Sequence, residues 1–91
     1  MIKIKIGDIL SVKYLGFTHY GIYVGFNSMI HNSRKGGQVE EINFKKFADG
    51  REVTVSSIKS DDPYFAVSLA RQYIGQKYNP FSENCEQENT T

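Results

Sequence analysis

With 91 residues the chain holds one domain at most, and a domain of that size buries a modest core with a thin stability margin. Hydrophobic residues at 40% and charged residues at 23% exclude a disordered chain and fit a globular one, while a formal net charge of +1 excludes the strong field that recruits nucleic acid or an anionic membrane. The single cysteine excludes an internal disulfide and a cysteine-cluster metal site, and no apolar run approaches the roughly 20 residues that span a bilayer.

In chain order, Met1-Ile2-Lys3-Ile4-Lys5-Ile6 alternates and lacks the apolar stretch of a signal peptide. It reads as a half-buried strand or the approach to one. With the lone cysteine it predicts a reducing, cytoplasmic setting. Gly7-Asp8 breaks the pattern, and Ile9 to Tyr14 is a second extended stretch. Gly16-Phe17-Thr18 reads as a loop. His19 to Gly25 is the strongest strand signal, rich in β-branched and aromatic residues. Asn27-Ser28 supplies a turn, and Met29-Ile30-His31 returns as the next strand. Ser33 to Gly37 is a basic, glycine-rich turn before the short extended run Val39 to Ile42. Asn43 caps a helical turn over Phe44 to Phe47; Asp49-Gly50 is a hairpin-type turn leading into a strand over Glu52 to Ile58. Asp62 and Pro63 then open a helix whose apolar stripe (Phe65, Ala66, Leu69, Ala70, Tyr73, Ile74) faces a core, with Gly75 at its C′ position. The pattern predicts an α+β fold: a small antiparallel sheet or partial barrel packed on one main helix. No repeat or linker divides residues 1–91, so one domain is expected.

The chemistry centres on Cys85. Cysteine attacks as thiolate, and a free thiol at neutral pH is mostly protonated. A nearby imidazole or a helix N-terminus corrects this. Asn84-Cys85-Glu86-Gln87 places the sulfur where a helix begins, with backbone N–H groups able to form an oxyanion site beside Asn84 and Glu86. His19 and His31 are the only imidazoles. Strand alternation puts His19, Gly21 and Tyr23 on one face, and glycine at 21 leaves space beside His19 for a helix or substrate. A loop at residues 25–27 sets His31 opposite Gly21, close enough to orient His19, whereas a longer displacement separates them. The register stays open at this level. The bland readings are a buried structural cysteine, strand histidines satisfied by packing, aromatic core at Tyr20, Tyr23, Phe26 and Tyr78, and a solvated turn at Arg34-Lys35. Asp8, Asp61 and Asp62 read as turn and cap residues. Two histidines and a cysteine also suit zinc, but a fourth ligand and close cysteine spacing are lacking, so no metal or other cofactor is expected.

Gly7-Asp8-Ile9, Thr18-His19-Tyr20-Gly21-Ile22-Tyr23-Val24-Gly25, Ile30-His31 and Asn84-Cys85-Glu86 together resemble the lecithin retinol acyltransferase-like group, a circularly permuted branch of the NlpC-type, papain-like superfamily. The twelve-residue step between the histidines is similar to the family's, as is the run from Ala70-Arg71-Gln72-Tyr73-Ile74-Gly75 through Tyr78-Asn79 into Asn84-Cys85. The resemblance implies His19 as general base, Cys85 as nucleophile and His31 as the orienting group. It implies an acyl-thioester passed to an alcohol, an amine or water, with an acyl lipid or a peptide as substrate, and it gives Tyr20 no chemical role.

Two features depart from the pattern. The family motif continues Asn-Cys-Glu-His-Phe, whereas Gln87 and Glu88 follow here. The family's cysteine opens a long apolar helix, whereas residues 86–91 contain no apolar residue, so the expectation is either a sequence cut short of that helix or a domain that has lost it, and in the second case Cys85 is poorly preorganised. The competing expectations are a weak or inactive member that acts as a binding module on a host protein, and an amidohydrolase of cell-wall peptide. Neither nucleic acid nor a membrane span is expected, and peripheral membrane contact is left open.

Overall fold

The computed structural model describes residues 3–77. Four strands, β1 (Ile9–Tyr14), β2 (Phe17–Gly25), β3 (Ser28–Ser33) and β4 (Gln38–Asn43), run as an antiparallel meander. Helix α1 (Phe44–Ala48) follows, then β5 (Val53–Val55), then helix α2 (Pro63–Gln72). β5 pairs with the outer edge of β1, so the sheet order is β4-β3-β2-β1-β5. This is the expected α+β arrangement, built on an open five-stranded antiparallel sheet.

The turns set the register. Tyr14 pairs directly with Phe17 and their rings stack at 5.0 Å, so Phe17 and Thr18 extend β2 instead of forming the expected loop. Gly16, at φ 92°, takes the left-handed position that this two-residue turn requires. Between β2 and β3, Phe26 and Asn27 both have positive φ, the mirror-image turn geometry that matches strand twist. Asn27 is suited to that conformation; Phe26 adopts it with its ring 99% exposed. Residues 3–6 form the strand approach, without ladder bonds: Gly7 donates to the Tyr23 carbonyl, and Asp8 N–H turns back to the Lys5 carbonyl.

Cross-strand pairing lays Val55, Leu10, Gly21, His31 and Glu40 in one row across all five strands, with Val53, Val12 and His19 in the next row on the same face. Passing from β4 to β5 takes the chain over three intervening strands, about 19 Å at the usual strand spacing. Helix α1 lies on that path and lowers Phe47 onto the histidine face. Asn43 Oδ1 caps it by accepting from Lys45 N–H at 2.8 Å. Asp49, at φ 52°, ends α1 in the left-handed conformation, where a hairpin-type turn was expected. Leu10, Val12, Met29 and Phe47 are 0–2% exposed and form the core on this face. β5 is shorter than the expected Glu52–Ile58 because β1 begins at Ile9; the Ser56 N–H bonds to the Ile9 carbonyl and beyond it no partner strand continues.

Helix α2 lies against the opposite face. Asp62 Oδ1 accepts from Phe65 N–H at 3.0 Å and Pro63 occupies the first turn, as expected. The expected apolar stripe, however, does not face a filled core. Pro63, Ala66, Val67 and Ala70 are half-buried, whereas Phe65, Leu69, Tyr73 and Ile74 are exposed, and no residue of α2 is buried. The partly covered side chains are the smaller ones, and the larger ones lie open on the flank. Tyr73 is the C-cap, so Gly75 falls beyond the expected C′ position and serves another end: its N–H donates to the Val39 carbonyl at 2.8 Å. Val39 N–H bonds in turn to the Gln76 carbonyl, and Lys77 bridges Gln38. The chain thus leaves α2 along the outer edge of β4.

Candidate active site

The turn at residues 26–27, together with a one-residue register shift in β2 between Tyr23 and Gly25, sets the register that the sequence left open: Gly21 pairs with His31, where the turn alone would pair Ile22 with it. His31 therefore stands diagonally from His19, and His19 Nε2 lies 2.8 Å from His31 Nδ1 with the rings nearly perpendicular. On the far side, His31 Nε2 is 3.3 Å from Glu40 Oε2, since Glu40 is the directly opposed residue on β4. The side chain of His31 is 9% exposed. Three side chains on three adjacent strands thus form one hydrogen-bonded line.

Phe47 lies beneath this line, with ring centroids 5.4 Å from His19 and 6.0 Å from His31. Gly21 makes the approach possible: a Cβ there would stand 2.7 Å from Phe47 Cε1 and 3.1 Å from Met29 Cε. Of the two expected occupants of the space beside Gly21, a helix or a substrate, the structure has a helix: α1 fills it with Phe47. Above it opens a cleft of about 700 Å³ lined by His19 and His31, by the stacked Tyr14 and Phe17, and by charged groups that include Arg34 and Lys46. Arg34 lies over the Phe17 ring at 4.9 Å. Burial, then the neighbouring His31 and Arg34 charges, pull the His19 pKa below the ordinary 6.5. The ring is held neutral at pH 7, with a lone pair available to accept a proton.

Of the residues singled out from sequence, His19 and His31 come together and Gly21 lies between them under Phe47. Tyr23 shares their face but is directed elsewhere: its hydroxyl accepts from Asn27 N–H at 3.1 Å and its ring meets Phe44 edge-on. Cys85, Asn84 and Glu86 lie outside the described residues. Glu40, Phe47 and Arg34 are contributions the sequence did not reveal. Alternation puts Glu40 and Ile42 on one face of β4, but only the length of the turn at residues 34–37 sets Glu40 against His31. Among the described residues no three metal-ligating side chains converge, and the facing nitrogens of the histidines are directed at one another.

The comparison with protein families agrees with the expected family. The family model for lecithin retinol acyltransferase matches residues 2–88, nearly the whole chain. The chain belongs to the lecithin retinol acyltransferase family, and membership points to acyltransferase-like chemistry. No curated protein matches the chain. Among the described residues no helix is long and apolar enough to cross a membrane.

Proposed function

We propose that the protein is a cysteine-dependent acyltransferase or hydrolase of permuted papain-like type, acting on a lipid ester or amide through Cys85, His19 and His31. The observation that carries this is the 2.8 Å contact between His19 and His31 at the floor of an open cleft, with His19 kept neutral. A neutral imidazole held by a second polar group is what a thiol needs to ionise and attack. The tether permits the third partner. Lys77 is fixed at the edge of β4, Cys85 follows eight residues later, and eight residues reach about 28 Å when extended. Counted from Lys77, His19 stands three strand spacings in, about 14 Å away.

In this reading the Cys85 thiol gives its proton to His19 and the sulfur adds to the acyl carbonyl. The leaving oxygen or nitrogen departs with that proton, and a thioester remains. Water, an alcohol or an amine then adds to the thioester as His19 takes its proton; the proton returns to the sulfur as the acyl group leaves. Backbone N–H groups beside Cys85, flanked by Asn84 and Glu86, would receive the developing oxyanion. Arg34, Lys35 and Lys46 around the cleft suit a substrate with an anionic head.

Alkylation of Cys85 tests the pairing. Cys85 should react faster than a free thiol at neutral pH, His19→Ala should abolish the excess, and incubation with an acyl lipid should add the acyl mass to the chain. Equal alkylation rates in parent and His19→Ala, with no acyl adduct, would refute the reading.

A further inference from the structure

We propose that Glu40 is a positioning residue of this site: acting through His31, it sets the ring protons of both histidines and leaves His19 Nδ1 as the basic nitrogen. The inference rests on the reading above, in which His19 is the base. A carboxylate accepts and cannot donate, so the proton across the 3.3 Å contact belongs to His31 Nε2. In its neutral form, the one the alkaline test below observes, His31 carries a single N–H, which makes its Nδ1 an acceptor. His19 Nε2, 2.8 Å away, is then the donor. The one proton of His19 is thereby committed to Nε2, and Nδ1 holds the lone pair that a thiol requires. Without Glu40 the opposite order is equally allowed: His31 donates from Nδ1, His19 accepts at Nε2, and the proton of His19 moves to Nδ1 and blocks it.

The surroundings of Glu40 support this role. Among the described residues no lysine or arginine pairs with its carboxylate, although Arg34, Lys35 and Lys46 line the same cleft. Its neighbour Glu41 points to the other face and makes an ordinary ion pair with Arg71 at 2.9 Å. The β3–β4 turn leaves room for Glu40. Gly36 donates to Ser33 Oγ at 2.8 Å, and a Cβ at Gly36 would stand 2.9 Å from Glu40 Oε1. Any larger residue at 36 would displace the carboxylate.

The test uses the full chain carrying Cys85→Ala, so that no thiol shares His19. Imidazole nitrogen NMR at mildly alkaline pH distinguishes protonated from bare ring nitrogens. The expected parent signature is a proton on Nε2 and a bare Nδ1 in both rings. Glu40→Thr, a strand former too short to reach His31, should move part of the proton population of both rings onto Nδ1. Glu40→Gln, whose amide oxygen still accepts, should restore the parent signature. A purely structural role would leave the ring protons unchanged. With Cys85 restored, Glu40→Thr should slow alkylation of the thiol about tenfold, the equivalent of one pKa unit in the base, and Glu40→Gln should recover most of that loss. A parent with the His31 proton on Nδ1, or ring protons indifferent to Glu40→Thr, overturns the proposal. A parent Cys85 no more reactive than a free thiol overturns the catalytic reading instead, so the two failures are distinguishable.

Discussion

The two faces of the sheet are built on different terms. On the histidine face Leu10, Val12, Met29 and Phe47 are packed to exclusion of solvent, and the same Phe47 ring that completes the core forms the floor under His19 and His31. On the opposite face Val24 and Ile30 are buried, but α2 is only half-buried, at Pro63, Ala66, Val67 and Ala70, and leaves Phe65, Leu69 and Tyr73 exposed. That helix is held at its ends instead. Asp62 caps it, Arg71 reaches Glu41, and Gly75 bonds to the Val39 carbonyl. Ahead of it, Lys59 pairs with the buried Asp8 at 3.0 Å. The most completely buried side chains and the candidate site therefore share one face, where close packing holds the two imidazoles in place.

The largest way to break this contrast is Phe47→Ala. Removing a buried phenyl ring costs about 3–5 kcal/mol, a large share of the total for a domain of this size. A urea melt should show the midpoint collapse. A loss below about 1 kcal/mol would mean that the histidine face is not the core.

Gly21→Ala attacks the same contact from the strand side and should cost about 1–3 kcal/mol, because the new methyl meets Phe47, Met29 and the Ile30 carbonyl at once. Phe47→Leu in that background should recover part of the loss, a non-additivity expected only of residues in contact. Simple additivity of the two melts would show that Phe47 does not press on Gly21.

Much of this architecture is legible in the sequence. Alternation and turn chemistry locate β1 to β4, and Asn43, Asp62 and Pro63 mark where the helices begin. The Gly7-Asp8 break is legible too, since Asp8 accepts from Lys5 N–H and closes that turn. What the sequence leaves hidden is how elements meet. The Phe47–Gly21 contact depends on the path of α1 over β2, which no local pattern encodes. The partner of His31 depends on counting through a four-residue turn, so Glu40 reads as one more solvent-facing charge. The stripe on α2 is periodic, but periodicity names the apolar side of a helix and not how far it is covered. Alternation and the twelve-residue spacing made His19 and His31 legible as candidates, whereas their register did not follow, because it takes the register shift between Tyr23 and Gly25 as well as the turn to bring them together.

Leu69→Ala samples the opposite face. A side chain already 41% exposed, replaced by a better helix former, should change stability by about 0.5 kcal/mol or less. Against the Phe47→Ala melt this gives the contrast between the faces a number. A loss above about 2 kcal/mol would show that α2 is covered in solution.

The smallest effect is a pH slope at His19, small because solvent enters the cleft and screens the ring. The unfolded chain takes up this proton near 6.5, whereas burial and the His31 and Arg34 charges delay uptake in the folded chain to lower pH. Between those two values the unfolded state binds more protons, so stability falls as pH falls through the window and levels off below the folded value. Asp8 acts in a separate, lower window. Burial raises its pKa, but the Lys5 N–H and the Lys59 ammonium outweigh that and hold it below 3.8, so its contribution is present above 3.8 and lost as pH falls through the folded value. Denaturation midpoints taken across both windows should therefore show two declines. His19→Gln should erase the upper one and leave the lower intact. If the upper decline survives in His19→Gln, the proton uptake belongs to another group, and the packed face does not extend its influence to His19.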